Sequence, residues 1–554
     1  MRLTITLIIL LSCQLAWAQT VYESSNKGVY TLLDELANDK IIDINDMVKP
    51  WSRVYIAEKL QEALDREEML TARQAGEIAF YMKDYRLEVI KITKNLKPGN
   101  TFPRQKMPAI SLDPPALSYR DSLFAFSLRP LWEIAFIANK NTTALSNRIG
   151  AEAFGYYSQH LGIYGRYLYG YENMPLSAPE YLAGTAGQVT QVTKNGGLDY
   201  HDLTWGIMYS WRWGSLGVVN DRPEWGSNYF GANILSGRAP AFTQIRLQLN
   251  PAKWFEFNYM HGWLGSGVVD SSRSYWSGST YKEIMRKKYI AANMFSFKPI
   301  PYLSISFGNS IIYSDIPVQV AYLVPFLFFR LADYEVSGMS DDASANSQMY
   351  FNISSRNIRH LHLYFSMFID ELSVYRFGDK NRNNFFSYKG GFRLGNWPLQ
   401  DLSFTAEYTY TLPAVYDHYI STNTFASDSY TLGHYLGGNA HELFLALQYK
   451  PLRGLLLELS YNFGQHGSNA GYDGVVRADE IPMLGTITWQ KNIAGLQASY
   501  AILSNASIFA GIQYSNIEGF DAEGQTATGH LIKFSPEIFW NETISGNAGI
   551  RIGL

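Results

Sequence analysis

The stretch LSFTAEYTYTL, Leu402 to Leu412, decides the fold class. Phe404, Ala406, Tyr408 and Tyr410 alternate with Ser403, Thr405, Glu407 and Thr409. A period of two belongs to an extended strand with one apolar, aromatic face and one polar face. KWFEFNYMHGW (Lys253 to Trp263) sets Phe255, Phe257, Tyr259 and His261 against Trp254, Glu256, Asn258 and Met260. LLLELSYNFG (Leu455 to Gly464) follows the same rule. In a barrel that crosses a membrane, the aromatic face meets lipid and the other lines the lumen.

The links between such segments alternate in length. Short turns are expected at Asn250 to Ala252, Lys298 to Pro301, Asn396 to Gln400, Lys450 to Arg453 and Lys491 to Ile493. Long polar links are expected at about 172–202, 263–287, 331–347, 412–440 and 465–483. Tight turns on one side and long loops on the other fit an outer-membrane barrel. A soluble propeller would repeat one blade motif, and no such repeat is found. From Ser122 the chain has 433 residues. Eighteen strands would take about 24 residues each, strand plus loop. Direct inspection gives nearer 20 candidates, with crowding after Gly485.

Composition agrees. Of 554 residues, 17% are charged, 15% are aromatic and 39 are Tyr, the balance of a barrel with aromatic girdles. Mean hydropathy of -0.14 argues against a helical membrane protein, and no later apolar run reaches the roughly 18 residues a spanning helix needs. A net charge of -3 suggests no nucleic-acid partner.

The chain opens with Arg2, an apolar run from Leu3 to Leu11 and Ala16-Trp17-Ala18, the three parts of a secretory signal with cleavage expected after Ala18. Leu10 to Cys13 offers a rival lipoprotein box, although Cys13 sits very early for one. Cleavage would remove the only cysteine, leaving no thiol for disulfide, nucleophile or metal. Between about 28 and 95 the period becomes helical. Val29, Leu32, Leu33 and Leu36 make one face, Ile56, Leu60, Ala63 and Leu64 a second, and Ile78, Tyr81, Met82 and Tyr85 a third. Thr71 and Gln74 form a capping box. The expected organisation is a signal peptide (1–18), a periplasmic helical bundle (19–97), a Pro-rich linker (98–121) and a mainly β, transmembrane antiparallel barrel (122–554).

Chemistry is sparse. His360 and His362 lie two apart in a strand pattern, so a metal pair is conceivable, but no third ligand is near. His441-Glu442 lacks the second His of a helical zinc site. Asp341 to Asn346 and Asp379 to Asn384 could offer oxygens to calcium, as any solvated loop could. No spacing pairs a Ser with a His. Neither cofactor nor catalysis is expected.

One segment breaks the alternation. DRPEWGSNYFGANILSGRAPAFTQIRL, Asp221 to Leu247, crowds Arg, Trp, Tyr, Asn, Gly and Pro before strand pattern resumes at Phe242. It reads as an outer loop or a lumen-closing segment. Its candidate saccharide contacts are Arg222, Glu224, Trp225, Asn228, Tyr229 and Arg238, since rings stack on sugar faces and polar groups bond hydroxyls. Here the chain resembles the capsule-assembly Wzi family of outer-membrane proteins, through Trp225-Gly226, Asn233 to Gly237, Arg238 to Phe242 and Ile245 to Leu247. YLVPFLFFRLADYE (Tyr322 to Glu335), LYFSMFIDEL (Leu363 to Leu372) and KPWSR (Lys49 to Arg53) also match. Ser227-Asn228 departs from the Pro or Gly that often follows Trp-Gly in the family. The resemblance implies an eighteen-stranded barrel behind a periplasmic bundle. It also implies a monomeric, non-catalytic role in holding surface polysaccharide in the outer membrane of a Gram-negative cell, with a possible periplasmic partner for the helices. A porin or substrate-selective channel is the alternative.

Overall fold

The computed structural model describes residues 20–23, 27–93, 108–111, 116–158, 160–177, 190–337, 345–377, 379, 382–469 and 478–554. The proposed signal segment, most of the Pro-rich linker and residues 341–344 fall outside these. Among the described residues, no helix is long and apolar enough to cross a membrane. Eighteen antiparallel strands do so by closing a barrel, in which every interior strand satisfies its backbone groups on a neighbour.

The strands are β1 (Phe124–Asn139), β2 (Thr143–Tyr157), β3 (Leu161–Glu172), β4 (Leu198–Trp211), β5 (Gly214–Asp221) and β6 (Phe242–Ala252). They continue as β7 (Phe255–Leu264), β8 (Lys288–Ile300), β9 (Leu303–Ser314), β10 (Asn346–Ile358), β11 (Leu361–Glu371) and β12 (Phe385–Gly395). The last six are β13 (Leu402–Thr411), β14 (Ala440–Leu452), β15 (Leu455–Gly467), β16 (Ile487–Leu503), β17 (Ala506–Gly519) and β18 (Asn541–Ile552). Each pairs with its sequence neighbour, and β18 closes on β1 with Ile550 opposite Ile134. Phe404, Tyr408, Leu459 and Tyr461 are exposed on the outer wall, while Thr405, Glu407 and Thr409 are buried inside, as the alternation requires.

Four of the five expected short turns fall at the junctions of successive strands, one of them, Asn396 to Gln400, wholly between strands and the other three overlapping the end of the strand before the turn. The fifth does not. Lys491 to Ile493 lies within β16, paired with β15 and β17. The charge of Lys491 resembled a turn signal, but it is buried in the lumen, where its Nζ lies 2.8 Å from Glu442 of β14. Reading that lumenal ion pair as a turn splits one long strand in two, which inflates the count toward 20.

The N-terminal region forms helices α1 (Lys27–Asn38), α2 (Arg53–Leu64), α3 (Ala72–Met82) and α4 (Arg86–Thr93). Ser52 caps α2, and the Thr71–Gln74 box caps α3 in both directions. The three apolar faces meet in one core around Leu32, Leu36, Ile56, Leu60, Ile78 and Tyr81. The bundle is docked in the short-turn mouth of the barrel by charges. Arg53 is buried and holds Glu23 (2.5 Å), Glu88 (2.9 Å) and Asp84 (3.1 Å). Arg129 reaches in from β1 to Asp84 (3.1 Å) and to Glu152 of β2 (2.5 Å). Arg73 binds Glu35 and also Asp401 (2.7 Å) in the β12–β13 turn. Short strands at Ala109–Ile110 and Leu117–Arg120 extend pairing beside β1 within the region expected to be linker.

One wall departs from the simple rule. The outward aromatic face of β7, with Phe257 and Tyr259, is buried rather than bare to lipid. Residues 315–337, containing helix α5 (Phe329–Ser337), fold down over β7, β8 and β9. The outward Asn293 of β8 donates to the carbonyls of Pro325 and Leu327, both at 2.9 Å. The Phe329 N–H donates to Asn309 of β9 at 2.9 Å. The Pro-centred segment is therefore a strap on the outer wall.

Burial pushes the Glu35 carboxyl up, but Lys450 and Arg73 outweigh it and hold it at about 2, against an ordinary 4.5. A depressed carboxylate stabilises fully above its unfolded pKa and loses that contribution as pH falls through its folded pKa. Glu35 should therefore contribute on the order of 3 kcal/mol at neutral pH, lost between pH 4.5 and about 2. Pepsin cleavage within 27–93 should rise across that window. Glu35→Gln should flatten the rise, and an identical acid profile in the variant would contradict the assignment.

Candidate functional site: a plugged lumen and its cavity

The interruption at 222–241 does not stand in solvent. It turns inward between β5 and β6 and plugs the lumen. Glu224–Trp225 pairs on one side with Leu235–Ser236 and on the other with Val48–Lys49 of the N-terminal region, making a small sheet inside the barrel. Gly226 (φ 112°) and Gly237 (φ 65°) take the backbone through left-handed turns that a side chain would strain. The link between β13 and β14, expected to be outside, also folds inward. Tyr416 donates to the Asn233 carbonyl at 2.6 Å, and the Ser236 N–H donates to Leu432 at 2.7 Å. Together they bury Trp225, Ile234, Val415 and Phe425 against Met260, Ile312, Tyr350 and Phe368 of the wall.

Each candidate residue is inside the barrel. Trp225 is 3% exposed and meets the Tyr350 ring edge-on at 6.0 Å, so its faces are committed to packing. Arg222 grips Asp202 of β4 at 2.9 and 3.3 Å. Glu224 pairs with Lys49 at 2.9 Å and accepts from Asn228 at 3.0 Å. Arg238 donates to the Phe230 carbonyl at 2.7 Å and lies 4.0 Å from the Tyr435 ring centre. The Tyr229 hydroxyl lies 3.0 Å from Asp34 of α1 and 2.7 Å from Nδ1 of His362.

Tyr229 belongs to a knot that sequence spacing could not reveal. Arg356 of β10 binds Asp34 (2.8 Å) and Asp46 (2.9 Å). Asp46 accepts from Ser227 of the plug at 2.9 Å. Burial pushes the Asp46 carboxyl up, but Arg356, His362 and Lys49 hold it well below the usual range. Burial, then the Asp34 charge, pushes the Tyr229 hydroxyl well above its ordinary value, so it stays neutral. Bundle, plug and wall meet here.

The histidine pair is not a metal pair. His360 lies in the β10–β11 turn with φ 71°, outside the strand in which the sequence pattern placed it. It bonds Asp39 at 2.9 Å, while His362 bonds Tyr229 and Ser354. Ser354 (2.9 Å) and Asp46 (3.3 Å) both approach Nε2 of His362, whereas a triad sets them on opposite nitrogens. All three side chains are buried. Among the described residues, no group of three or more His, Cys, Asp and Glu could hold a metal ion.

Between bundle, plug and wall lies a cavity of about 890 Å³. Arg222, Glu224, Asn228, Tyr229 and Arg238 line it, and Trp225 does not. Its lining reaches the short-turn rim at Gly454, Ser504, Asn505 and Leu554. At the opposite, long-loop end, a hairpin pairs Tyr275–Ser277 with Thr280–Lys282. Trp276 is 69% exposed, with Tyr281 at 5.3 Å and exposed Lys282, Arg286 and Lys287 nearby in the chain. Nothing in the local sequence marks this hairpin, because its aromatics sit in an otherwise ordinary polar link.

A closed antiparallel barrel with an aromatic outer wall and loops folded into its lumen defines an outer-membrane β-barrel. The chain belongs to the family described as capsule assembly protein Wzi, which matches residues 212–530. The solved structure of Wzi from Escherichia coli, described as an outer membrane protein involved in group 1 capsule assembly and a carbohydrate-binding β-barrel, shares the fold. The TM-score is 0.54 at 11% identity, covering 97% of this chain and 100% of that one. OccD3 (OpdP) of Pseudomonas aeruginosa (TM-score 0.43, 12% identity, 77% of this chain and 90% of that) is a more distant likeness. So is OccAB2 of Acinetobacter baumannii (0.43, 10%, 77% and 97%). No curated protein matches the chain.

Trp225→Ala should cost about 3–5 kcal/mol, because the plug core cannot close over so large a gap. The temperature at which folded barrel converts to the unfolded gel species should fall. An unchanged transition would show that Trp225 does not hold the plug.

Proposed function

We propose that this barrel binds and retains capsular or other extracellular polysaccharide at the cell surface, supporting capsule assembly without catalysis. Family membership and the description of the E. coli protein support the reading. The observation that carries it is the pairing of a plugged lumen with an exposed Trp276–Tyr281 platform at the long-loop end, beside Lys282, Glu283 and Lys287 and an Arg286 paired with Asp315. Aromatic faces stack on sugar rings, and the neighbouring Lys and Arg suit acidic or hydroxylated chains. In this reading Trp225 braces the plug, and Arg222, Glu224, Asn228, Tyr229 and Arg238 offer polar contacts to saccharide in the cavity. Export with cleavage after Ala18 would leave residues 19–97 on the periplasmic side.

Deleting the gene in a capsule-forming strain should shift polysaccharide from the cell pellet to the medium. Complementation with Trp276→Ala/Tyr281→Ala should restore retention only in part. Full retention in the deletion strain would refute the role.

The plug also bears on the channel alternative. In planar bilayers the purified protein should conduct little, and large stable steps would favour a channel instead.

A further inference from the structure

The cavity wall formed by β1 to β4 is rich in arginine. Arg148 of β2, Arg166 of β3, Arg222 of the plug and Arg551 of β18 all line it. Register sets Arg166 between Glu152 of β2 and Thr204 of β4. Glu152 is already held by Arg129 at 2.5 Å. Asp202 is gripped by both terminal nitrogens of Arg222. Glu133 is shared by Arg148 at 2.8 Å and Arg551 at 2.5 Å. The three carboxylates are thus each engaged by another arginine. Among the described residues, the buried Nε atoms of Arg148, Arg166 and Arg222 have no acceptor.

Resting on the saccharide-binding reading above, we propose that this patch binds the anionic group of a saccharide, a uronate carboxylate or a sugar phosphate. Glu133 and Asp202 serve Arg148, Arg551 and Arg222; of the nearby Asp221 and Glu172, Asp221 lies 3.7 Å from Arg246 and Glu172 accepts from the N–H groups of Leu176 and Ser177, so Arg166 has no carboxylate to itself. A guanidinium held away from bulk water without a full set of acceptors is costly, and an incoming anion relieves that cost. The planar fork of arginine matches the two oxygens of a carboxylate or phosphate. A cavity of about 890 Å³ is large enough for a small ligand, and Tyr200 and Thr204 supply a ring and a hydroxyl beside the arginines. The site stands on the lumen wall and does not depend on the exposed hairpin.

Isothermal titration of the full chain, folded in detergent, tests this with trigalacturonate and, separately, inorganic phosphate. Trigalacturonate should bind one to one. Arg166→Gln should weaken it at least tenfold, and Arg166→Lys, which keeps the charge without the fork, by less. Inorganic phosphate has no ring face to stack on the Trp276–Tyr281 platform, so loss of phosphate binding in Arg166→Gln would read the lumenal patch alone, and a failure of the surface reading is distinguishable from a failure here. Phosphate should compete with trigalacturonate in the wild-type protein, a readout that needs no variant. The tighter anion then identifies the source as uronate or phosphorylated saccharide. Equal affinity in wild type and Arg166→Gln, binding of neither anion, or binding of both without competition would overturn the site.

Discussion

The guanidinium of Arg356 is the point on which the closed lumen depends. It stands on β10, but its partners Asp34 and Asp46 come from the N-terminal region, and Asn38 adds a further bond at 2.8 Å. The plug joins through Tyr229 on Asp34 and Ser227 on Asp46. A buried ion pair earns little net stability against apolar packing, yet removing one partner strands the others at about 3–5 kcal/mol. The knot therefore works as a constraint on arrangement. The bundle cannot leave the mouth without uncovering Arg356, and the plug cannot swing out without stripping the carboxylates of their hydroxyl donors.

That constraint divides the lumen. Along β6 to β12 the inner wall carries Met260, Ile290, Met294, Ile312, Tyr350 and Phe368, and the inward loops fill the space against it. This half is filled by packed apolar side chains around buried polar groups such as Arg356 and Lys389, unlike the open polar lumen that alternation suggests for a barrel. Along β1 to β5 and β14 to β18 the inner wall keeps Arg, Glu, Asp and Thr, and the cavity lies against it. The proposed saccharide contacts belong to the cavity side, where polar side chains line open volume.

The strands were legible in the sequence because alternation is a local property. Thr405, Glu407 and Thr409 face inward for the same reason that Phe404 and Tyr408 face outward. Helix caps were legible too, since Thr71 and Gln74 are three residues apart. The inward path of 222–241 was only half legible: its composition marked it as unusual, but its partners Asp46, Tyr350 and Tyr416 are far away in the chain. Lys491 misled because a charge in a strand resembles a turn until its buried partner Glu442 is seen. His360 misled because a two-residue spacing does not show which residue is in the turn. The arginine patch could not be read at all. Arg148, Arg166 and Arg551 are brought together by register and barrel closure, and nothing in their local sequence marks them.

The strap over β7 to β9 shows how the same physics constrains the outside. Asn293 and Asn309 point outward from the middle of their strands, where lipid would leave an amide unsatisfied at a cost of several kcal/mol. Residues 315–337 remove that cost by presenting backbone carbonyls and an N–H to the two asparagines. The strap turns Val320, Phe326 and Leu331 outward in their place. The lipid-facing surface is thus supplied by the Pro-centred segment here and by the strands themselves elsewhere. A barrel sealed by its own loops inside and patched by its own loop outside need not open a path across the membrane to hold a ligand. In the proposed reading an outer hairpin and an inner cavity each meet saccharide, with the plug between them.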